Sequence, residues 1–594
     1  MNYNTRSDIP EKYKWDLSRL IADESTWQPR LDAVKEEFKL LAEFKGRLSD
    51  PSVLLTFFRL NDKISLELET LIVYANMKSH EDLRISKYQQ MVASASMVVT
   101  DYSSVISFQT PEIIASYTEE QLLALSAKPE FKDYSFSLLE CARQKDKVLS
   151  EKEENLLAKA ENVFGTFSEI FARFDNADIK WDPVMVDGVE TPISHGSYGA
   201  LLQSKNRKVR EDAHFSMFNS YKNMINTIAT NYSGNVMKDY FLSSVRGFDS
   251  CLERALYNDN IPTSVYQNLT DSVRKASDKL KEYFEYRRQK MNLDSHHAYD
   301  SYVSIVEQDE SEIEFDDAFE IVLKGLAPMG EDYIALLKKA REERWIDVYE
   351  TKGKRSGGYS WGVYRHPAYI LLNFNGTLNE TFTIAHELGH SMHSYFSDNA
   401  LGYSSAGYRI FVAEIASTVN EMLLIKYLLK TSSGERKKYL LTYLLDMFKS
   451  TVFRQTLFSE FERKAHEVVE KGGGLSAELL CDIYEKLNVE YYGEDYLTPV
   501  LKYEWARIPH FYNSFYVYKY ATGLISACAI ASDILSGKEN AVENYKKFLS
   551  AGGSMYPLDI LRLASVDLTT KEPFEKAFAL FSETFEELKN LTNN

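Results

Sequence analysis

Residues 386–390 read His-Glu-Leu-Gly-His, and this HExxH motif constrains the chain more than any other short segment. Two histidines four residues apart face the same way on a helix, so two imidazoles can reach one zinc ion. The glutamate between them, Glu387, can then take a proton from a zinc-activated water. The motif therefore predicts a metal ligand pair, a general base and a hydrolytic reaction together.

The residues around the motif favour a buried helix. Residues 379–381, Asn-Glu-Thr, offer helix N-caps and an acidic first turn. Apolar side chains recur at helical spacing through the motif: Phe382, Ile384, Ala385, Leu388 and Met392. Gly389 is a poor helix former, and close packing against another element is the best reason for a glycine there.

A catalytic zinc site of this kind needs a third protein ligand. Glu414 follows 24 residues after His390, and Glu414, Ser417, Thr418 and Glu421 share one face of an otherwise apolar helix. Carboxylates on such a helix are costly unless they are paired or metal-bound. A solvated stripe on an amphipathic helix is the alternative, and spacing alone leaves both Glu414 and Glu421 open as ligands. Two histidines, one carboxylate and an open position describe a catalytic zinc.

Three C-terminal segments carry a family resemblance: residues 385–395, 411–421 and 509–523. Residues 12–17, 252–261 and 369–376 extend it over essentially the whole chain. The chain resembles the oligoendopeptidase F group of the thimet-oligopeptidase-like (M3) zinc metallopeptidases. This resemblance implies one Zn²⁺ per chain, held by His386, His390 and Glu414, with Glu421 as a supporting partner of the ligands.

The segment 509–523 is dense in polar aromatic residues. The resemblance implies that its histidine and tyrosines contact substrate. We assign His510 and Tyr518 to catalysis beside Glu387, and Tyr512 and Tyr516 to substrate binding. Neutral hydroxyls and an imidazole N–H can stabilise the oxyanion that forms during peptide hydrolysis. Which tyrosine contacts that oxyanion is left open, and packing against the core is the alternative for each of them.

The expected fold is mainly α: a two-lobed zincin with a small β-sheet beside the HExxH helix and a deep substrate cleft. Helical periodicity dominates the chain. Residues 181–192 predict a short hairpin with Asp-Gly at its turn. We place a boundary there, between an N-terminal helical lobe (1–185) and the catalytic region (186–594). Residues 358–375 are β-like and offer either an edge for an extended peptide or a plain structural hairpin.

Composition limits the classes of binding partner and the cellular location expected for this chain. The 594 residues carry a formal net charge of -18, so a nucleic-acid groove is not expected, and no polybasic membrane patch is visible. The four cysteines are scattered, which favours free thiols in a reducing compartment. The N-terminus lacks an apolar signal region, and the apolar run 521–530 is too short to cross a bilayer. We therefore predict a cytoplasmic protein with no membrane partner; its oligomeric state stays open.

The resulting functional prediction is a zinc-dependent endopeptidase that cuts internal bonds of short, unstructured peptides with Glu387 as general base. An HExxH exopeptidase, either a metallocarboxypeptidase or an aminopeptidase, is the first alternative. A peptide-binding protein without activity is the second, and the intact Glu387 argues against it.

Overall fold

The computed structural model describes residues 3–307 and 312–593. The chain packs into two compact units, each assembled from three segments. Unit 1 comprises Met1–Lys147, Glu310–Lys430 and Ile530–Val566, and unit 2 comprises Val148–Asp309, Thr431–Ala529 and Asp567–Asn594. These bounds differ from the predicted ones. An independently folding lobe at 1–185 and a cleft between lobes stay predictions.

Helices build most of both units, which confirms the mainly α prediction. The first stretch of unit 1 contains α1 (Trp27–Glu37), α2 (Pro51–Glu81), α3 (Ser86–Ile106), α4 (Gln109–Ser116), α5 (Glu119–Ser126) and α6 (Ser135–Gln144). The start of α2 follows from its sequence. The Asp50 side chain accepts a hydrogen bond from the Ser52 amide, and Pro51 occupies the first turn, where its missing N–H costs nothing.

Unit 2 begins with a long helix and the predicted hairpin. The elements are α7 (Glu151–Arg173), β1 (Val184–Val186), β2 (Val189–Thr191), α8 (His195–Leu202), α9 (Arg207–Asn223), α10 (Ile225–Val245), α11 (Cys251–Tyr257) and α12 (Thr263–Lys290). β1 and β2 pair antiparallel, and Asp187 and Gly188 both have positive φ, at 50° and 82°. Asp-Gly tolerates this geometry, so the hairpin prediction is confirmed.

A three-stranded sheet lies beside the HExxH helix in unit 1. The elements are α13 (Phe315–Gly325), α14 (Glu331–Glu342), β3 (Ile346–Tyr349), β4 (Tyr359–Trp361), β5 (Tyr369–Phe374) and α15 (Leu378–Ala400). The order is β3-β5-β4, with β3 parallel and β4 antiparallel to β5, so β4 is at an edge. β5 leads almost directly into α15, as the sequence predicts.

The remaining helices complete both units. They are α16 (Tyr403–Ala406), α17 (Ile410–Thr431), α18 (Gly434–Met447), α19 (Arg454–Glu470), α20 (Ala477–Tyr492), α21 (Tyr518–Leu535), α22 (Ala541–Leu549), α23 (Pro557–Leu563) and α24 (Glu572–Asn593). The apolar run 521–530 lies in α21, where Ala521 and Ile525 are fully buried. This agrees with the prediction of a buried helix.

Two further features bear on the predicted location. The four cysteines are buried and form no disulfide in the described part of the chain. One helical stretch, residues 86–116, is long and apolar enough to cross a membrane, and 28% of its most apolar window is buried. Core helices can pass the same test of length and composition, so the cytoplasmic location and the absence of a membrane partner stay predictions.

Candidate active site

The two motif histidines of α15 bring their Nε2 atoms to 3.2 Å. Glu414, on α17, places Oε2 at 3.5 Å from His386 Nε2 and 3.4 Å from His390 Nε2. Two ligands bound about 2.0–2.2 Å from one tetrahedral zinc lie roughly 3.3–3.5 Å apart, so these spacings are close to those of a loaded site. The donor set fits the metal that the sequence predicts.

Close helix packing creates this cluster. A Cβ on Gly389 would meet Ala416 O and Ser417 Cα, each at 2.6 Å, so only glycine lets α17 approach α15 this closely. Asn420 Nδ2 donates a hydrogen bond to Ala385 O at 3.0 Å, which links α17 to α15. Tyr333 donates its hydroxyl to Asn420 Oδ1 at 3.0 Å and orients that amide. The structure thus confirms the prediction that another element packs closely against Gly389.

Glu421 has a different relation to the cluster from Glu414. Its carboxylate accepts a hydrogen bond from Nδ1 of His386 and is largely buried. A ring that donates from Nδ1 keeps the lone pair of Nε2 free for a metal. The geometry therefore separates the two glutamates that spacing left open: Glu414 faces both Nε2 atoms, and Glu421 orients one ring.

The carboxylates of the cluster increase the proton affinity of the His386 imidazole. Burial lowers the pKa of His386, but the Glu414 and Glu421 carboxylates outweigh burial and raise that pKa to about 10. Burial raises the pKa of Glu414, yet its bonds to His386 and His390 bring it well below the usual range. An environment that holds protons on imidazole this tightly also favours a divalent cation in their place.

Glu387 is buried beside the cluster, with 6% of its surface exposed. Its Oε2 has no hydrogen-bond partner among the described residues, and a Cβ on Gly358 would lie only 3.3 Å from Oε1. Gly358 directly precedes the edge strand β4, so the carboxyl lies next to the start of that strand. Burial raises the pKa of Glu387, which brings it closer to the working range of a general base.

The aromatic segment forms its own cluster inside unit 2. The Tyr516 ring lies parallel to His510 with centroids 5.9 Å apart, and Tyr520 stands edge-on to both rings. The Tyr520 hydroxyl is 3.5 Å from His510 Nε2. Burial lowers the pKa of His510, which favours the neutral form of its ring.

Tyr520 was not among the assigned residues. Tyr520 lies in the first turn of α21, whereas Tyr516 precedes that helix. The density of polar aromatic residues in 509–523 is the signal that could have singled out Tyr520. Two assigned tyrosines lie elsewhere. Tyr518 is 1% exposed and its ring packs 5.9 Å from Tyr266, while Tyr512 stacks on Phe171 at 4.7 Å. Their roles stay predictions, and the contacts around His510 favour Tyr520.

Comparison with known proteins agrees with this geometry. The model of peptidase family M3 matches residues 200–580, and the oligopeptidase F model matches residues 114–181. The chain is 40% identical to oligopeptidase PepF of Bacillus subtilis, over 99% of this chain and 88% of that protein. It is 39% identical to the chromosomal oligoendopeptidase F of Lactococcus lactis, over 99% and 98%.

The structure of oligoendopeptidase F from Enterococcus faecium is also similar, with a TM-score of 0.75 and 34% identity over 96% of this chain and 99% of that one. Fold and cluster together are those of a metallopeptidase. The chain belongs to peptidase family M3, and it is an oligopeptidase related to the oligoendopeptidases F.

Proposed function

We propose that this oligopeptidase is a zinc-dependent endopeptidase that cuts internal bonds of short, unstructured peptides. The cluster of His386, His390 and Glu414, whose ligand atoms all lie within 4.8 Å of one another, is the observation that carries the proposal. When bound there, zinc supplies a Lewis acid that polarises the scissile carbonyl and makes a water more acidic.

The chain's own residues supply the proton transfers. Glu387 accepts the proton of the attacking water at a carboxylate oxygen and delivers it to the nitrogen of the leaving amine. Its burial and its Oε2 atom support this role, because no group among the described residues hydrogen-bonds to that oxygen. Glu421 keeps His386 in the orientation that leaves Nε2 for the metal.

Two further groups support substrate handling. The edge position of β4 suits an extended peptide that adds to the sheet through main-chain hydrogen bonds. His510 and a neighbouring tyrosine are proposed to donate to the oxyanion, and Tyr520 joins Tyr516 and Tyr518 as a candidate for that tyrosine. The relatives' names, oligopeptidase and oligoendopeptidase, support short peptides and internal bonds as targets.

One assay tests reaction and specificity together. A ten-residue peptide, acetylated at its N-terminus and amidated at its C-terminus, is incubated with the enzyme and the products are identified by mass spectrometry. Internal cuts that stop with a chelator and return with stoichiometric zinc are expected. Cleavage only of the unblocked peptide would favour an exopeptidase, and casein degraded as fast as the peptide would contradict the restriction to oligopeptides.

A further inference from the structure

A turn in unit 2 holds a backbone conformation that its residue disfavours. Phe515 has φ of 60°, in the left-handed region that bulky side chains rarely adopt. The residue is 3% exposed and immediately precedes Tyr516. Such conformations persist only where the surrounding structure enforces them, and they are concentrated at functional sites.

The side chain of Glu462, on α19, contacts this turn. Its side chain is fully buried, and Oε1 accepts a hydrogen bond from the Phe515 amide at 3.0 Å. Its Oε2 has no partner within residues 3–307 and 312–593. A buried carboxyl without a cation beside it is costly, and burial raises the pKa of Glu462 well above its usual range. The proposed chemistry does not otherwise use this residue.

A second anchor comes from α10. Ser514 donates its hydroxyl to Asp239 Oδ2 at 2.7 Å. Asn235 donates to Phe511 O at 3.2 Å and to Ser514 Oγ at 3.3 Å. Residues 511–515 are thus tied to α10 and α19 by buried polar side chains, at the strained position and before it.

We propose that Glu462 is a positioning residue for the His510–Tyr516–Tyr520 cluster. Its carboxyl holds Phe515 in the left-handed conformation, and that turn directs the chain so that the Tyr516 ring lies within 3° of parallel to His510. Tyr520, in the first turn of α21, stands edge-on to both rings and completes the cluster. An extended or right-handed Phe515 would send Tyr516 elsewhere. The inference rests on the proposed role of this cluster in the reaction.

The decisive comparison is Glu462→Met against Glu462→Gln. Glutamine keeps the acceptor for the Phe515 amide, whereas methionine of similar length removes it. We expect Glu462→Met to lower kcat about 10–100-fold, the scale of a ~1 Å misplacement of reacting groups, with KM and zinc content near wild type. Glu462→Gln is expected to restore most of kcat. Equal kcat in both variants and the wild type would overturn the proposal.

Glu460→Met is the matched control. Glu460 is a buried carboxyl on the same helix, but it pairs with Arg274 at 2.7 Å and accepts from the Tyr491 hydroxyl, away from the turn. This variant should lose thermal stability and keep its kcat per folded molecule. The ratio of the loss in kcat to the loss in Tm is compared between the two variants. If Glu460→Met and Glu462→Met give the same ratio, Glu462 has only a structural role and the proposal fails.

Two further variants separate the possible failures. His510→Ala and Tyr516→Phe, in the same assay, test the cluster itself: normal kcat in both would refute its role in the reaction. A loss in these two with normal kcat in Glu462→Met would refute the positioning role alone. If Glu462→Met does not fold, Ser514→Ala decides through the second anchor. A selective loss of kcat there supports the anchored turn, and an unchanged kcat overturns it.

Discussion

Glu421 holds the Nδ1 side of the His386 ring, while the Nε2 side of that ring faces Glu414. The two glutamates are seven residues apart on α17, which is about two helical turns, so they lie on one face of the helix. One helix therefore places a carboxylate near each nitrogen of the His386 ring. This fixes the ring between a hydrogen-bond partner and the proposed metal position.

Replacing each of these glutamates should affect metal binding differently. Glu414→Ala should abolish stoichiometric zinc binding, because it removes the third proposed ligand. Glu421→Gln should retain zinc with ~10–100-fold weaker affinity, as expected when a partner of a ligand is altered. Zinc content after dialysis and competition with a chromogenic chelator measure both. Stronger loss in Glu421→Gln than in Glu414→Ala would reverse the assignment.

Glu387→Gln tests the general base. The amide has nearly the same size but accepts no proton at neutral pH, so kcat should fall at least ~10²–10⁴-fold while zinc binding persists. Steady-state kinetics on the blocked peptide, with metal analysis of the same sample, give the answer. Near-normal turnover would show that Glu387 has another role.

Gly389→Ala should separate α15 from α17. The added Cβ would meet backbone at 2.6 Å, and such overpacking costs roughly 1–3 kcal/mol of the free energy of unfolding. Zinc affinity should fall as well, since Glu414 lies on α17. Gly165→Ala in α7 is the control: nothing lies within 4 Å of its added Cβ, so stability should rise by about 0.5–1 kcal/mol. Thermal unfolding and zinc titration measure stability and zinc affinity in both variants. If Gly389→Ala changed neither quantity, the close approach of α17 to α15 would be contradicted.

The tyrosine that assists His510 can be identified by single substitutions. Tyr520→Phe removes the hydroxyl near His510 Nε2 and should lower kcat ~10–100-fold, with little effect on Tm. Tyr518→Phe changes a buried hydroxyl and should alter Tm more than kcat. Kinetics and thermal melts of the two variants side by side decide the matter, and the opposite pattern would restore the sequence-based choice of Tyr518.

Asp300 should make stability depend on pH. Burial raises its pKa, but hydrogen bonds from Arg207 and Arg210 outweigh burial and lower it below 3.8. A carboxyl with a lowered folded pKa stabilises the protein above about pH 4, and this contribution is lost as pH falls through the folded pKa. Asp300→Asn should cost ~3–5 kcal/mol at pH 7, as breaking a buried ion pair does, and less near pH 3.

The control for that prediction is Asp278→Asn, whose carboxyl is largely exposed and pairs with Lys281. It should change stability by less than ~1 kcal/mol at either pH. Denaturant unfolding at pH 7, 5 and 3 measures both variants. A pH-independent difference between Asp300→Asn and the wild type would show that Asp300 does not contribute through its charge.

Local spacing was sufficient where one helix or one turn decides the geometry. His386 and His390 share a helix face because they are four residues apart, and the Asp187–Gly188 turn follows from the conformations those residues tolerate. The buried run 521–530 and the mainly α fold likewise follow from short-range patterns of apolar residues. The sequence therefore determined the helix that carries two of the proposed metal ligands, the residue types proposed as ligands, and the class of fold.

Only the tertiary structure decided which side chains meet across elements. Glu414 and Glu421 share one helix face and are equivalent by spacing. The packing of α17 against Gly389 places Glu414 near the Nε2 atoms of both histidines and Glu421 at Nδ1 of His386. Tyr520 rather than Tyr518 lies beside His510, and Glu462 meets a turn more than 50 residues later in the chain. Such contacts depend on the distance and rotation between packed elements, which residue spacing within one element does not encode.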